Sequence, residues 1–183
     1  DYSCIGEGRE GAKIKPDFLE FGGRLDRPVI IAGATQNTLS ASIGTSFSSP
    51  LAVNKIGRLM AKSESITPHI GRTLLIHNAQ IDSHLAQEEQ GYGFCAEEVD
   101  DVLNCDDKKV TILYSGTLAP SQTVRLPVFA PQINNVRGNV TITWTVATIV
   151  DPFIGDPDAY TNSCIEDTFF PVSYTHLTLP TIA

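Results

Sequence analysis

Residues Gly44 to Ala52 read GTSFSSPLA. The chemistry this stretch could offer is nucleophilic, through the hydroxyl of Ser46. Gly44 permits a tight turn with no side chain near a substrate. Ser46 then falls at the start of a helix, where free N–H groups and the positive end of the helix dipole favour developing negative charge. Its own N–H is a candidate oxyanion donor, a contribution of roughly 3 kcal/mol per donor in such sites. The plain alternative is a Ser/Thr cap on a core helix. A serine hydroxyl also needs a base to take its proton. His69, His77 and His84 all follow the serine. His69 falls in a helix first turn and reads as exposed. His77 lies on an apolar helix face and reads as a core or surface histidine, and His84 lies in the polar loop IDSHLAQEEQ. A self-contained Ser-His-Asp site is therefore not expected. The strand-to-helix elbow of serine esterases, Gly-x-Ser-x-Gly, is excluded because Ser48 stands at the second glycine.

The elements that must position Ser46 follow from pattern. Leu51, Val53, Ile56, Leu59 and Met60 recur at helical spacing, which predicts a helix from about Ser46 to Ala61. Pro50 fits a first turn, where its missing N–H costs nothing. The helix is largely apolar, so it belongs in a core. Thr67-Pro68 predicts a second helix start, a cap followed by proline at the first helical position. Ile70, Leu74, Leu75 and Ala79 continue it. Gly91-Tyr92-Gly93 is a break, and Cys95 to Leu103 reads as a short helix. Before the serine, Lys15 is extended ahead of Pro16, Asp17 to Phe21 reads as a short strand, and Pro28 to Ala32 as a short buried strand. Ala34 to Ile43 reads as loop or irregular strand. After Asp106-Asp107 the character turns β. KVTILYSG (109–116), TVRLPVFA (123–130), NVTITWTVATIV (139–150) and SCIEDTFF (163–170) are strand candidates. Turn signals at Ala119-Pro120-Ser121, Asn134-Asn135 and Asp156-Pro157-Asp158 separate them. This half reads as an antiparallel β-sandwich, with Trp144 in its core and a boundary near Asn104.

The whole chain bounds the partners. It has 183 residues, a formal net charge of −8, 42% hydrophobic and 19% charged residues, and a pI near 4.8. That balance argues against nucleic acid or an anionic membrane as the main partner, and no apolar run is long enough to span a bilayer. Cys4, Cys95, Cys105 and Cys164 form no CxxC pair, so no zinc site is expected; reduced thiols in a cytosolic protein are favoured. The acidic stretch DDVLNCDDKK lacks the spacing of a calcium loop and reads as a solvated linker. No metal and no cofactor is expected. Asn139-Val140-Thr141 is a glycosylation triplet inside a predicted strand. The chain opens on Asp1 without a signal peptide, which reads as a start within a longer protein.

Two stretches carry a resemblance. GTSFSSPLA resembles the serine motif of subtilisin-like peptidases (subtilases), Gly-Thr-Ser-x-(Ser/Ala)-x-Pro-x-(Ala/Gly/Ser), through Gly44, Thr45, Ser46, Ser48, Pro50 and Ala52. YSCIGEGREGAKIKPDFLEFGG resembles the segment that precedes it, through Ser3, Gly6, Lys15, Pro16, Asp17 and Gly22. Glu20 stands where alanine is common, and Ile43 where a small residue is common. LLIHNAQ and GYG look like the late helix and glycine break of that fold. The resemblance spans Tyr2 to about Leu103. It implies an α/β fold: residues 1–104 as the C-terminal part of a three-layer catalytic domain, followed by the all-β sandwich-like domain at 105–171. It implies Ser46 as nucleophile, with Gly44 and Thr45 positioning it or adding an oxyanion contact. It implies a polypeptide substrate. The triad Asp and His and the oxyanion Asn are expected upstream of Asp1, so this chain is expected to be inactive alone, and Asp17 holds a structural place. The β half resembles the C-terminal domain of a bacterial, intracellular subtilase group encoded beside an AAA-type ATPase, which suggests that ATPase as a partner. The alternative is a pseudoenzyme or protein-binding module acting through the β domain. Finally, VSYTHLTLPT (172–181) resembles the translation of a transposase-type sequencing adaptor, so 172–183, with His176, is set aside.

Overall fold

The computed structural model describes residues 3–6, 14–128, 141–156, 161 and 163–169. The chain divides into two units, Asp1–Ala147 and Thr148–Ala183.

In the first unit, β1 (Val29–Ala32) and β2 (Leu39–Ser42) form an antiparallel hairpin in which Val29 faces Ser42 and Ala32 faces Leu39. The connecting loop closes on itself through Gly33 N–H to Thr38 O at 2.7 Å. Helices α1 (Thr45–Lys62), α2 (Pro68–His77), α3 (Gln87–Gln90) and α4 (Val99–Leu103) follow. The cap expected at Thr67 is present: its Oγ1 accepts from Ile70 N–H at 3.3 Å, with Pro68 opening the helix. Beyond the far end, Asn78 N–H donates to Leu74 O at 3.1 Å, where the turn leaves the helix. α4 lies where the short helix was expected, four residues later in its start.

The core sits where α1, α2 and α4 meet. Leu59, Ile66, Leu74, Leu75, Val99 and Val102 are buried, with Phe18, Ile56, Ile70 and Cys95 packed against them. Full burial of a Leu or Val side chain contributes about 1.5–3 kcal/mol, so these few residues organise the unit. Gln90 is buried with them, and its side chain bonds Asp82 N–H, Asp82 O and Leu85 O, each at 2.8 Å. That network holds the loop before α3.

Burial departs from expectation in two places. In β1, Ile30 is 59% exposed, and of α1 only Leu59 is fully buried. Leu51, Val53 and Met60 are exposed. An apolar residue is buried only if another element covers it, and among the described residues α1 packs against α2 and α4. The expected strand at Asp17 to Phe21 reduces to a single parallel bridge, Leu19 with Phe94, which also bridges Gln80.

The described residues from 105 to 147 contain no strand. Val110, Val124, Leu126, Trp144 and Val146 are exposed there. β-branched side chains favour a strand only where a second backbone supplies the ladder. Tyr114 Oη donates to Pro127 O within this region. In the second unit, Pro152 and Thr161 form an isolated antiparallel bridge. The triplet residues Asn139 and Val140, the turn at Asn134-Asn135 and the segment 172–183 lie outside the described residues. Among the described residues no helix is long and apolar enough to cross a membrane.

Candidate active site

Four short pieces of chain place Ser46. Residues 19–23 lie beside 93–95, through Leu19 N–H to Gly93 O and Cys95 N–H to Leu19 O, both 2.8 Å. Gly22 O then accepts Gly44 N–H at 2.8 Å. Gly44 has φ +156° and ψ 152°, a region that essentially only glycine occupies. The chain turns there directly into α1, with Phe47 N–H returning to Gly44 O at 3.0 Å.

Thr45 and Ser46 are therefore the first two residues of an 18-residue helix. Their N–H groups have no acceptor among the described residues. These are the donors a helix start leaves open, and no side chain caps them. The neighbouring hydroxyls are turned inward: Ser48 Oγ donates to Thr45 O at 2.8 Å and Ser49 Oγ to the same oxygen at 3.4 Å. Ser46 is exposed, and its Oγ has no hydrogen-bond partner among the described residues. An accessible hydroxyl thus stands beside two unengaged N–H groups at the positive end of a long helix, an arrangement suited to attack on a carbonyl and to holding the resulting oxyanion.

Pro50 sits one residue further in than expected. Because α1 opens at Thr45, Pro50 is its sixth residue and lies inside the helix. It has no N–H to give the Ser46 carbonyl four residues back. The proline therefore removes one main-chain bond at the serine rather than marking the helix start.

The histidines are elsewhere engaged or exposed. His69 is exposed in the first turn of α2. His77 closes α2, with Nδ1 3.0 Å from Thr145 Oγ1. Partial burial, and then the charge of Lys109, lower its pKa. His84 is exposed, and its N–H donates to Asp82 Oδ1 at 2.9 Å. None of the three hydrogen-bonds Ser46.

Asp17 is a clamp. One oxygen takes Lys15 Nζ at 2.8 Å, and the other takes Arg72 Nη2 at 2.8 Å and Nε at 3.1 Å. Partial burial opposes its ionisation, but the hydrogen bonds and charges of Lys15 and Arg72 outweigh that and hold the pKa below its ordinary value. The clamp ties the segment before the serine to α2.

A second ionic group was not foreseen from sequence. Lys55, on α1, lies 2.6 Å from Glu20 Oε2, with side chains only 12% and 11% exposed. The aligned hydrogen bond of Lys55 goes to Ala96 O at 2.7 Å; the Glu20 contact is an ion pair without that alignment. Glu20 Oε1 accepts Phe21 N–H at 2.9 Å. Cys95 lies beside the pair, and burial, assisted by the Glu20 charge and opposed by Lys55, pushes its thiol up to about 11. The available signal was a glutamate where alanine is common together with a lysine inside an apolar helix.

A family model described as the Subtilase family matches residues 2–93, about half of the chain. The match includes both Lys15 to Gly23 and Gly44 to Ala52. No curated protein and no solved structure matches the sequence.

Proposed function

The chain belongs to the subtilase family of serine peptidases, and on that premise we propose that it carries the nucleophile, Ser46, of a subtilisin-like endopeptidase. The observation that supports this most is the state of the helix start: an exposed Ser46 Oγ beside the open N–H groups of Thr45 and Ser46. In the proposed reaction Ser46 Oγ attacks a peptide carbonyl while its proton passes to a histidine held by an aspartate. The oxyanion is received by Ser46 N–H, with Gly44 and Thr45 fixing its position. The amine leaves with the proton, and water then releases the acyl group by the same steps in reverse order of partners.

The subtilase order of aspartate, histidine and then serine supports a histidine and an aspartate supplied from upstream of Asp1, and on this reading the 183-residue chain alone does not cleave peptides. The exposed Leu51, Val53 and Met60 of the serine helix support completion by further protein, because water-exposed apolar surface on a nucleophile-bearing helix favours cover. We assign residues 105–171 a sandwich-like β module in the complete protein, intracellular and served by an AAA-type ATPase. The same unpaired serine favours one other reading, a pseudoenzyme that binds partner protein through that module. Fluorophosphonate labelling decides between them: the complete protein is labelled at Ser46 if it is a peptidase and stays unlabelled if it is a pseudoenzyme.

A further inference from the structure

We propose that Lys55 is a positioning residue for Ser46, acting through Glu20; this rests on the peptidase reading above. Lys55 lies nine residues after Ser46 on α1, about 13 Å along the helix axis at 1.5 Å per residue. Its ammonium is held by Glu20 Oε2 at 2.6 Å and Ala96 O at 2.7 Å. The other fixed point of the helix is its start, where Gly44 N–H donates to Gly22 O at 2.8 Å. Glu20 and Gly22 are two residues apart on one segment, and Leu19 locks that segment to Gly93 and Cys95. The serine helix is therefore attached at its start and at its middle to one short, laddered piece of chain. Two attachments set both how far α1 extends and how it is rotated, and Ser46 takes its place from them. The Pro50 gap between the two points removes a bond the helix itself would have supplied, which makes the outside attachment count for more.

A purely structural ion pair would make a different prediction. Replacing both partners of a buried pair by neutral groups often leaves stability unchanged. Such a double variant removes the attachment while keeping the fold. The test is an amide NMR spectrum of the 183-residue chain in three forms: wild type, Lys55→Arg, and the double variant Glu20→Gln/Lys55→Met. The expected result is that the double variant keeps the Leu74 and Leu75 resonances of the core and shifts those of Thr45 and Ser46, while Lys55→Arg stays near wild type. Unmoved Thr45 and Ser46 resonances in the double variant, or a shift spread equally through the core, would overturn the proposal. In the unlabelled complete peptidase the double variant should lose kcat by about a hundredfold, the cost of roughly 1 Å misplacement, with KM little changed. The spectra need no turnover, so a failure of labelling counts against the peptidase reading, and unmoved amides count against Lys55.

Discussion

Two side chains set chemical behaviour that can be read without any substrate. Asp17 has its pKa lowered in the fold by Lys15 and Arg72 against an opposing burial. The folded state therefore binds fewer protons here than the unfolded chain, whose aspartate titrates near 3.9. The stabilisation from Asp17 is full above that value and is lost as pH falls through the lower folded value. Denaturation curves across pH should show the wild type weakening below about pH 4, with this part of the slope absent and stability at pH 7 reduced in Asp17→Asn. An equal pH slope in the variant would contradict the clamp. Cys95 gives a second readout. Its thiol, pushed up to about 11 and partly buried, is almost wholly protonated at neutral pH, and the thiolate is the reacting form. Iodoacetamide at pH 8 should modify the exposed Cys4, Cys105 and Cys164 first and Cys95 last; early modification of Cys95 would show that the Glu20–Lys55 cluster is open.

At the scale of elements, the helices carry the fold and the turns carry the site. Leu75 is fully buried where α2 meets α1, and Leu75→Ala should cost about 2–5 kcal/mol. Gly91, with φ +62°, follows α3, and a Cβ there would stand 1.7 Å from Pro16 O. Gly91→Ala should therefore force residues 15–17 away and cost about 3 kcal/mol or more; a urea midpoint within error of wild type would contradict that packing. Both helices at the site were legible in sequence to within a residue or so, since Thr67-Pro68 and the spacing from Leu51 to Met60 are local signals. The depth of Pro50 was not, because it depends on the turn at Gly44 that starts the helix earlier. Nor was the exposure of Ile30 and Val53, since burial belongs to the covering element and not to the residue covered. Glu20 and Lys55 are 35 positions apart, and no periodicity connects them.

The molecule as a whole is a subtilase chain with an acidic balance of −8 and a family match confined to residues 2–93. The serine motif was legible because one helix start dictates the residue types at Gly44 and Ser46. The second half was legible only as composition: strand-forming residues from 109 onward specify a sheet when a partner backbone lies beside them. On the proposed peptidase reading, the complete protein supplies a base for Ser46, its orienting acid and cover for α1. The most direct measurement is fluorophosphonate labelling of the complete peptidase, its Ser46→Ala variant and the 183-residue chain alone. The account predicts a labelled wild type, no label in Ser46→Ala and none in the chain alone. Labelling that persists in Ser46→Ala would contradict it.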